Sequence, residues 1–304
     1  MQDLTKARKV SFGSRILKYK EAYIMLLPFF LLFLIFNVVP VIANFVFSFT
    51  YFSGLSLPSW VGFDNYIRLF TEDDIFLIAV RNTIVFAIIT GPVSYLLCFM
   101  FAWFINELGP RIRAVLTVVF YAPSITGSVY IIWKLIFSGD AYGFLNSFLL
   151  NMGYGEPVQW LTNKTYILPI IILVQLWLSL GTGFLAFIAG FKGLDRSYFE
   201  AGAVDGIKNR FQELWYITLP QMIPILILGA VLQITAAFSV GDVAVNLAGF
   251  PSTDYAGHTM MIHMRDHGIT RYDIGYAATI GTILSFVMIA TNKFIQSKLQ
   301  KVGR

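Results

Sequence analysis

The chain has 304 residues, of which 57% are hydrophobic and only 13% are charged, and its mean hydropathy is +0.70. A soluble domain of this size carries roughly a quarter charged residues, so the composition excludes an ordinary soluble protein and indicates one solvated by lipid. The net charge of +5 is explained by basic residues placed between apolar segments, so a nucleic-acid partner is not expected.

Six apolar segments follow one another along the chain, each close to the roughly 20 residues that a helix needs to cross a bilayer. The prediction is an all-α polytopic membrane protein with six transmembrane helices, over about residues 23–49, 82–105, 114–136, 166–190, 220–240 and 274–295. Residues 1–21 are predicted to form a cytoplasmic segment, and residues 22–298 a single transmembrane domain. The first apolar run continues past any cleavage site of a signal peptide, which predicts an uncleaved anchor.

The positions of Lys and Arg predict the orientation of the chain in the membrane. With both termini in the cytoplasm, all but six of the 22 basic residues lie in cytoplasmic segments. Within the predicted spans charged side chains occur only near span ends: Lys134, near the outer end of the third, where its apolar stem can reach the interface, and Lys293, at the cytoplasmic end of the sixth. The lone cysteine, Cys98, lies in the second span and cannot form an intrachain disulfide.

The loop between the fourth and fifth spans carries the sequence EAGAVDGIKNRFQELWYITLP. Just before it, Ser197 and Glu200 have the spacing of a capping box, in which Ser197 caps a helix and Glu200 reaches back to its backbone N–H. Gly206 permits the turn that ends this helix. A second helix is predicted over about 210–218, after which Pro220 bends the chain into the next span. The loop is therefore predicted to be a stiff helix–turn–helix.

This loop resembles the EAA motif of ABC-importer permeases of the carbohydrate-uptake type. The motif is present as Glu200-Ala201-Gly202-Ala203-Val204-Asp205-Gly206 and Ile217-Thr218-Leu219-Pro220. Two positions depart from the family pattern, because Gly202 replaces the second alanine and Ile207 follows the turn glycine. Four further segments are similar to sugar permeases: YIMLLPFFLLFLIFNVVP near the start, WVGFDNYIRLF at 60–70, RNTIVF at 81–86 and PSIT at 123–126. The resemblance is greatest to the first permease of a pair.

The resemblance implies that the loop is a coupling helix bound by a separate ATPase subunit. The residues implied are Glu200, Ala201, Ala203, Asp205, Gly206, Phe211 and Pro220. It implies a second homologous permease, two ATPase subunits and an extracytoplasmic solute-binding protein as partners, in a prokaryotic inner or plasma membrane. The sequence has no G-x-x-x-x-G-K-[ST] phosphate loop. ATP and Mg²⁺ are therefore expected on the ATPase subunits, and no cofactor or catalytic residue is expected in this chain.

A path for sugars is expected to be lined by amides, hydroxyls and aromatic rings, because sugars present hydroxyls and apolar ring faces. The fourth and fifth spans supply such side chains at Gln175, Trp177, Ser179, Thr182, Gln233, Phe238 and Ser239. By the resemblance, residues 175–182 correspond to the region that contacts sugar in maltose-type permeases. An alternative is that these residues hydrogen-bond between helices, within the chain or to the partner permease.

The sequence fits two other function classes less well than it fits a permease. An ion-coupled secondary transporter usually has ionisable residues near the bilayer midplane and repeated halves, and neither is evident in the sequence. A metalloprotease is suggested by HMRDH, in which His263 and His267 would share one face of a helix with Asp266 between them. Because the sequence indicates no third ligand and the segment lies in a predicted outer loop, no metal site is predicted. The role of His258, His263 and His267 stays open.

Overall fold

The computed structural model describes residues 19–127 and 129–302. The predicted segment 1–21 therefore lies outside the described residues, apart from 19–21. The first half of the chain forms α1 (Lys20–Phe33), a π-helical segment (Leu34–Val38), α2 (Val39–Phe47), β1 (Thr50–Tyr51), β2 (Ser59–Trp60), α3 (Asp64–Thr71), α4 (Asp74–Asn106), α5 (Pro110–Ile125), α6 (Tyr130–Ile136) and α7 (Phe144–Asn151).

The second half is also helical. It forms α8 (Lys164–Leu178), α9 (Thr182–Lys192), α10 (Arg196–Val204), α11 (Arg210–Glu213), a π-helical segment (Leu214–Thr218), α12 (Leu219–Gln221), α13 (Ile223–Phe238), α14 (Asp242–Ala248), a 3-10 turn (Thr253–Tyr255), α15 (Met260–Arg265), a π-helical segment (Asp266–Thr270) and α16 (Ile274–Val302). The architecture is all-α, as predicted.

Six candidate membrane spans result when each strongly bent helix pair is taken as one span. Four are long apolar helices: Lys20–Phe47, Asp74–Asn106, Lys164–Lys192 and Ile274–Gln300. The bent pairs are Pro110–Ile125 with Tyr130–Ile136, at 86°, and Arg210–Gln221 with Ile223–Phe238, at 80°. By length and composition the six coincide with the six predicted segments, and the prediction of a polytopic membrane protein is confirmed.

Two predicted boundaries differ from the structure. Helix α4 begins at Asp74, eight residues before the predicted start at 82, because the Asp73 side chain caps it by accepting a hydrogen bond from Phe76 N at 2.9 Å. The bend before the fifth span lies at Met222, between α12 and α13. Pro220 lies two residues earlier, in the last turn of the continuous helical run Arg210–Gln221, so the bend follows Pro220 rather than falling on it.

Helix α4 is the central element of the packed core. It packs against α8, α9, α13 and α15, and α13 packs in turn against α16. Helices α9 and α13 approach closely at Gly229, where an added Cβ would collide with the ring of Phe187. By contrast, the span Lys20–Phe47 buries none of its most apolar stretch within this chain. It is therefore a peripheral helix that contacts the rest mainly through α16.

The predicted outer loops contain ordered structure. Strands β1 and β2 pair antiparallel, with Thr50 opposite Trp60, and Asn65 of α3 donates hydrogen bonds to Ser48 O and Thr50 O at 3.1 and 2.9 Å. Helix α15 packs against both α4 and α16. These contacts make the end of the bundle that carries the predicted outer loops, which we call the outer end after that prediction, a folded cap rather than a set of connectors.

Candidate functional site: the coupling surface and the broken fourth span

The first helix of the predicted helix–turn–helix, α10, has a different cap from the one predicted. Asp195 is the N-cap residue, and its Oδ1 accepts a hydrogen bond from Ser197 N at 3.0 Å. Ser197 therefore lies inside the first turn, and the predicted capping box is wrong. Asp is as good an N-cap as Ser, and here it occurs two residues earlier. As a result Glu200 is exposed on the helix surface.

The turn after α10 has the predicted geometry. Gly206 has a φ of +91°, in the left-handed region that side chains other than glycine rarely adopt. The turn is closed by a hydrogen bond from Ile207 N to Gly202 O at 2.9 Å. Asn209 then caps α11 by accepting from Gln212 N at 2.8 Å. Two capped helices joined by the five-residue connection 205–209, with its glycine turn, make a stiff element.

Gly202, which replaces the second alanine of the motif, lies where the two helices touch. It is buried, and an added Cβ would lie 2.6 Å from Ile217 Cδ1 and 3.0 Å from Ile207 Cδ1. An alanine here would force the Ile217 side chain to rotate. Gly202 thus departs from the family pattern at a position where the large side chains of Ile217 and Ile207 leave no room for an alanine methyl group.

The helix–turn–helix is attached to the end of α4. Arg210 lies 3.3 Å from Glu107, which directly follows α4, and 2.6 Å from Glu213 on its own helix. The rings of Phe211 and Trp103 pack edge to face with centroids 5.5 Å apart. A force applied to the two short helices therefore reaches the central helix of the bundle through an ion pair and an aromatic contact.

All seven residues predicted for coupling are exposed. We call them together the coupling surface; they are Glu200, Ala201, Ala203, Asp205, Gly206, Phe211 and Pro220. Large apolar side chains next to it are also exposed, with Val204 at 88% and Trp215 at 67% of their accessible area. Exposed apolar side chains rimmed by charges are typical of a protein interface.

The fourth span is broken at its middle, between α8 and α9. Helix α8 ends at Leu178 and α9 begins at Thr182. An added Cβ on Gly181 would lie 3.1 Å from Ser124 Cβ near the end of α5, so the break of the fourth span adjoins the break of the third. Non-helical backbone is tolerated at membrane depth only where protein or a water-filled cavity surrounds it. The break of the fourth span is buried at Leu180 and Gly181, whereas Ser124 beside it is exposed.

Gln233 of α13 is buried and bonded to this break. Its Nε2 donates to Cys98 Sγ at 3.0 Å and to Ser179 O at 3.3 Å, while Ser94 Oγ donates to its Oε1 at 3.1 Å. The Ser179 hydroxyl donates to Leu176 O at 2.6 Å. For Gln233 these bonds favour the alternative of hydrogen bonding between helices, whereas the Ser179 hydroxyl bonds within its own helix and only the Ser179 carbonyl accepts from α13.

The other predicted path residues do not converge on one pocket. Trp177 is half-buried and packs edge to face on Trp133, with centroids 5.4 Å apart. Phe238, with Gln233, lines an apolar groove of about 510 Å³ between α4, α13 and α16. Gln175 is half-buried, and Thr182 and Ser239 are exposed at helix ends. The side chains left free to meet a ligand are thus Gln175, Thr182 and Ser239.

A polar cluster at the outer end of the bundle was missed by sequence reasoning. His263 Nε2 lies 2.9 Å from Asp73 Oδ2, and His263 Nδ1 lies 3.0 Å from His258 Nε2. Tyr276 Oη donates to Asp73 Oδ2 at 2.7 Å. Asp73 is distant in sequence from the histidines, and its sequence context indicates only a helix cap, so the fold alone brings it to them.

Together, a bundle of candidate spans and an exposed helix–turn–helix attached to its central helix define a membrane transport subunit. The chain belongs to the family of binding-protein-dependent transport system inner membrane components, whose profile matches residues 83–300. Two named relatives come from Bacillus subtilis strain 168. The probable ABC transporter permease protein YesP is 29% identical, covering 88% of this chain and 86% of YesP. The arabinooligosaccharides transport system permease protein AraP is 28% identical, covering 90% and 87%.

A third relative and two solved structures agree with this assignment. The trehalose/maltose transport system permease protein MalF of Thermococcus litoralis is 27% identical, covering 95% of this chain and 97% of MalF. A crystal structure of a bacterial ABC transporter that imports alginate matches with a TM-score of 0.73 at 23% identity, covering 96% and 99%. The same kind of transporter, in complex with a periplasmic protein that holds an alginate pentasaccharide, matches with a TM-score of 0.75 at 23% identity, covering 96% and 98%. At this identity the two structures support the fold alone.

Proposed function

We propose that this chain is the permease subunit of an ATP-driven importer for sugars or oligosaccharides, and that it forms half of the translocation path. The observation that carries the proposal is the coupling surface on a capped helix–turn–helix attached to α4. Relatives whose names specify arabinooligosaccharides or trehalose and maltose support a carbohydrate as the cargo.

In this proposal the coupling surface binds a separate ATPase subunit. Glu200 and Asp205 supply charge, Ala201 and Ala203 keep the helix surface small, and Phe211 supplies an apolar contact. ATP and Mg²⁺ belong to two such ATPase subunits. Closure of the ATPase pair would push on the two short helices, and the contacts of Arg210 with Glu107 and of Phe211 with Trp103 would pass the movement to α4.

The other proposed partners are a second, homologous permease and an extracytoplasmic solute-binding protein. The exposed apolar span Lys20–Phe47 needs either lipid or the second permease around it. We place both termini in the cytoplasm, because most Lys and Arg residues then lie inside. Gln175, Thr182 and Ser239 are the proposed sugar contacts, with Trp177 offering a ring face beside them.

Cysteine labelling tests orientation and docking in one experiment. The native Cys98 is buried and gives little background, so single cysteines can be added at Val204, Ser56 and Ser297, all exposed. We expect Val204→Cys and Ser297→Cys to react with an impermeant maleimide only in inside-out vesicles. We expect Ser56→Cys to react in intact cells. Binding of the ATPase subunit should then protect Val204→Cys alone, because Ser297 lies away from the coupling surface.

Two results would refute this part of the proposal. Labelling of Val204→Cys in intact cells would reverse the orientation. Equal reactivity of Val204→Cys and Ser297→Cys, with and without the ATPase, would mean that the coupling surface is not the docking site.

A further inference from the structure

All three histidines of the chain lie in the outer cluster, and two of them share it with a carboxylate in the arrangement of metal ligands. Asp73, His263 and His267 each offer a ligand atom, and these atoms all lie within 4.8 Å of one another. His263 and His267 are 1% and 3% exposed. Two imidazoles and one carboxylate are a ligand set that zinc binds, with a fourth position left for water.

The distance between two of the three ligand atoms is close to that of a tetrahedral site. Zinc lies about 2.0–2.2 Å from nitrogen and oxygen ligands, so the ligand atoms are about 3.3–3.6 Å apart. His263 Nε2 and Asp73 Oδ2 lie 2.9 Å apart, so the pair would have to open by less than about 1 Å to admit the ion. The rings of His263 and His267 are already adjacent, with centroids 4.7 Å apart.

A buried ring nitrogen without a partner points to a missing ligand. His267 Nδ1 is buried and has no hydrogen-bond partner among the described residues. Buried polar atoms are nearly always satisfied, because an unmade hydrogen bond costs about 1–3 kcal/mol. His263 differs, since both of its ring nitrogens are engaged. The Asp73–His263 contact alone therefore leaves the cluster incomplete.

Neighbouring groups hold the ligands in place without competing for the charge of Asp73. Tyr276 Oη donates to Asp73 and His258 contacts His263, as outer partners do around metal ligands. The nearby guanidinium groups have their own carboxylates: Arg68 lies 3.0 Å from Asp273, and Arg271 lies 2.8 Å from Asp266.

From this geometry we propose that Asp73, His263 and His267 form a structural site for a divalent transition metal, with zinc as the best fit. Asp73 precedes α4, while His263 lies in α15 and His267 in the π-helical segment after it. The ion would tie the outer end of the central span to the 260–270 segment. It would stabilise the outer cap of the bundle and take no part in catalysis.

Metal binding by the full-length chain tests the proposal. The chain is purified in detergent through an affinity tag without histidine, stripped with EDTA, and dialysed against micromolar zinc. We expect about one zinc per chain, and a thermal unfolding midpoint raised by zinc. In Asp73→Asn and His267→Ala the bound zinc should fall to background and the zinc-induced shift should disappear. His258→Gln is the matched control, because it changes the histidine outside the trio; it should keep the zinc with affinity weakened about 10–100-fold at most.

The wild-type result decides the matter even if a variant fails to fold. Absence of stoichiometric zinc on the folded wild-type chain would overturn the proposal. Equal zinc on wild type, Asp73→Asn and His267→Ala would also overturn it, since binding would then be adventitious.

Discussion

Gly206→Leu is expected to lose nearly all ATP-driven transport while the chain still inserts into the membrane. Gly206 has a φ of +91°, and a side chain in the left-handed region costs about 1–2 kcal/mol. An added Cβ would meet nothing within 4 Å, so the effect is backbone strain alone. The turn can relieve this strain only by changing direction, which moves Phe211 and the rest of α11 relative to α10. Since about 1.4 kcal/mol corresponds to a tenfold change in an equilibrium, uptake should fall by about 5–30-fold.

Gly153→Leu is the matched control for this variant. Gly153 has a φ of +96° and equally open surroundings, but it lies in the loop after α7, at the opposite end of the bundle in the proposed orientation. It should suffer the same backbone strain and keep normal uptake. Uptake rates are compared at equal amounts of membrane-inserted protein. Normal uptake by Gly206→Leu, or the same loss in both variants, would contradict the coupling role.

Gln233→Leu and Gln175→Leu are expected to fail in different ways. Gln233 bonds to Ser94, Cys98 and Ser179, and losing interhelical bonds in a membrane costs roughly 0.6–2 kcal/mol. Gln233→Leu should therefore lower the thermal unfolding midpoint of the detergent-solubilised chain. The Gln175 side chain makes no hydrogen bond among the described residues, so Gln175→Leu should leave that midpoint unchanged.

For the affinity of transport we expect the opposite ranking: Gln175→Leu should change it and Gln233→Leu should not. If Gln175 donates or accepts one hydrogen bond with sugar, its loss should weaken apparent affinity about 2–10-fold, since such a bond contributes about 0.5–1.5 kcal/mol. Gln233→Leu should lower the amount of active transporter with little change in affinity. Unchanged affinity in Gln175→Leu would place the sugar path on the partner permease or on other faces of these helices. An affinity change in Gln233→Leu without a stability change would make Gln233 a path residue.

The number and order of the candidate spans and the position of the helix–turn–helix could be predicted from the sequence, because each depends on a strong signal within one segment. The apolar runs located all six candidate spans, and the spacing of Glu200, Gly206 and Pro220 located the helix–turn–helix. Gly206 was predictable as a turn, since few residues other than glycine adopt its φ. The seven residues predicted for coupling are all exposed, and their role in coupling stays a prediction.

The helix caps, one helix boundary and the polar clusters could not be predicted. They depend on which of several nearby residues acts as the cap, or on contacts between residues distant in sequence. Asp195 and Ser197 are both good caps, and sequence alone does not decide between them. The start of α4 was predicted too late because the charge of Arg81 was taken as the boundary of the apolar segment. In the structure Arg81 lies inside the helix. Gln233 looked like a path residue until the fold brought it to Ser94 and Cys98. Similarly, Asp73 lies beside His263 and His267 because α15 packs against α4, a contact that the sequence does not reveal.

Uptake of labelled oligosaccharide by proteoliposomes tests the central claim most directly. The vesicles contain this chain, its partner permease and the ATPase subunits, with ATP trapped inside and the solute-binding protein added outside. The account predicts accumulation of sugar that requires both ATP and the binding protein and that is lost in Gly206→Leu. Accumulation that follows an imposed proton or sodium gradient without ATP would contradict it.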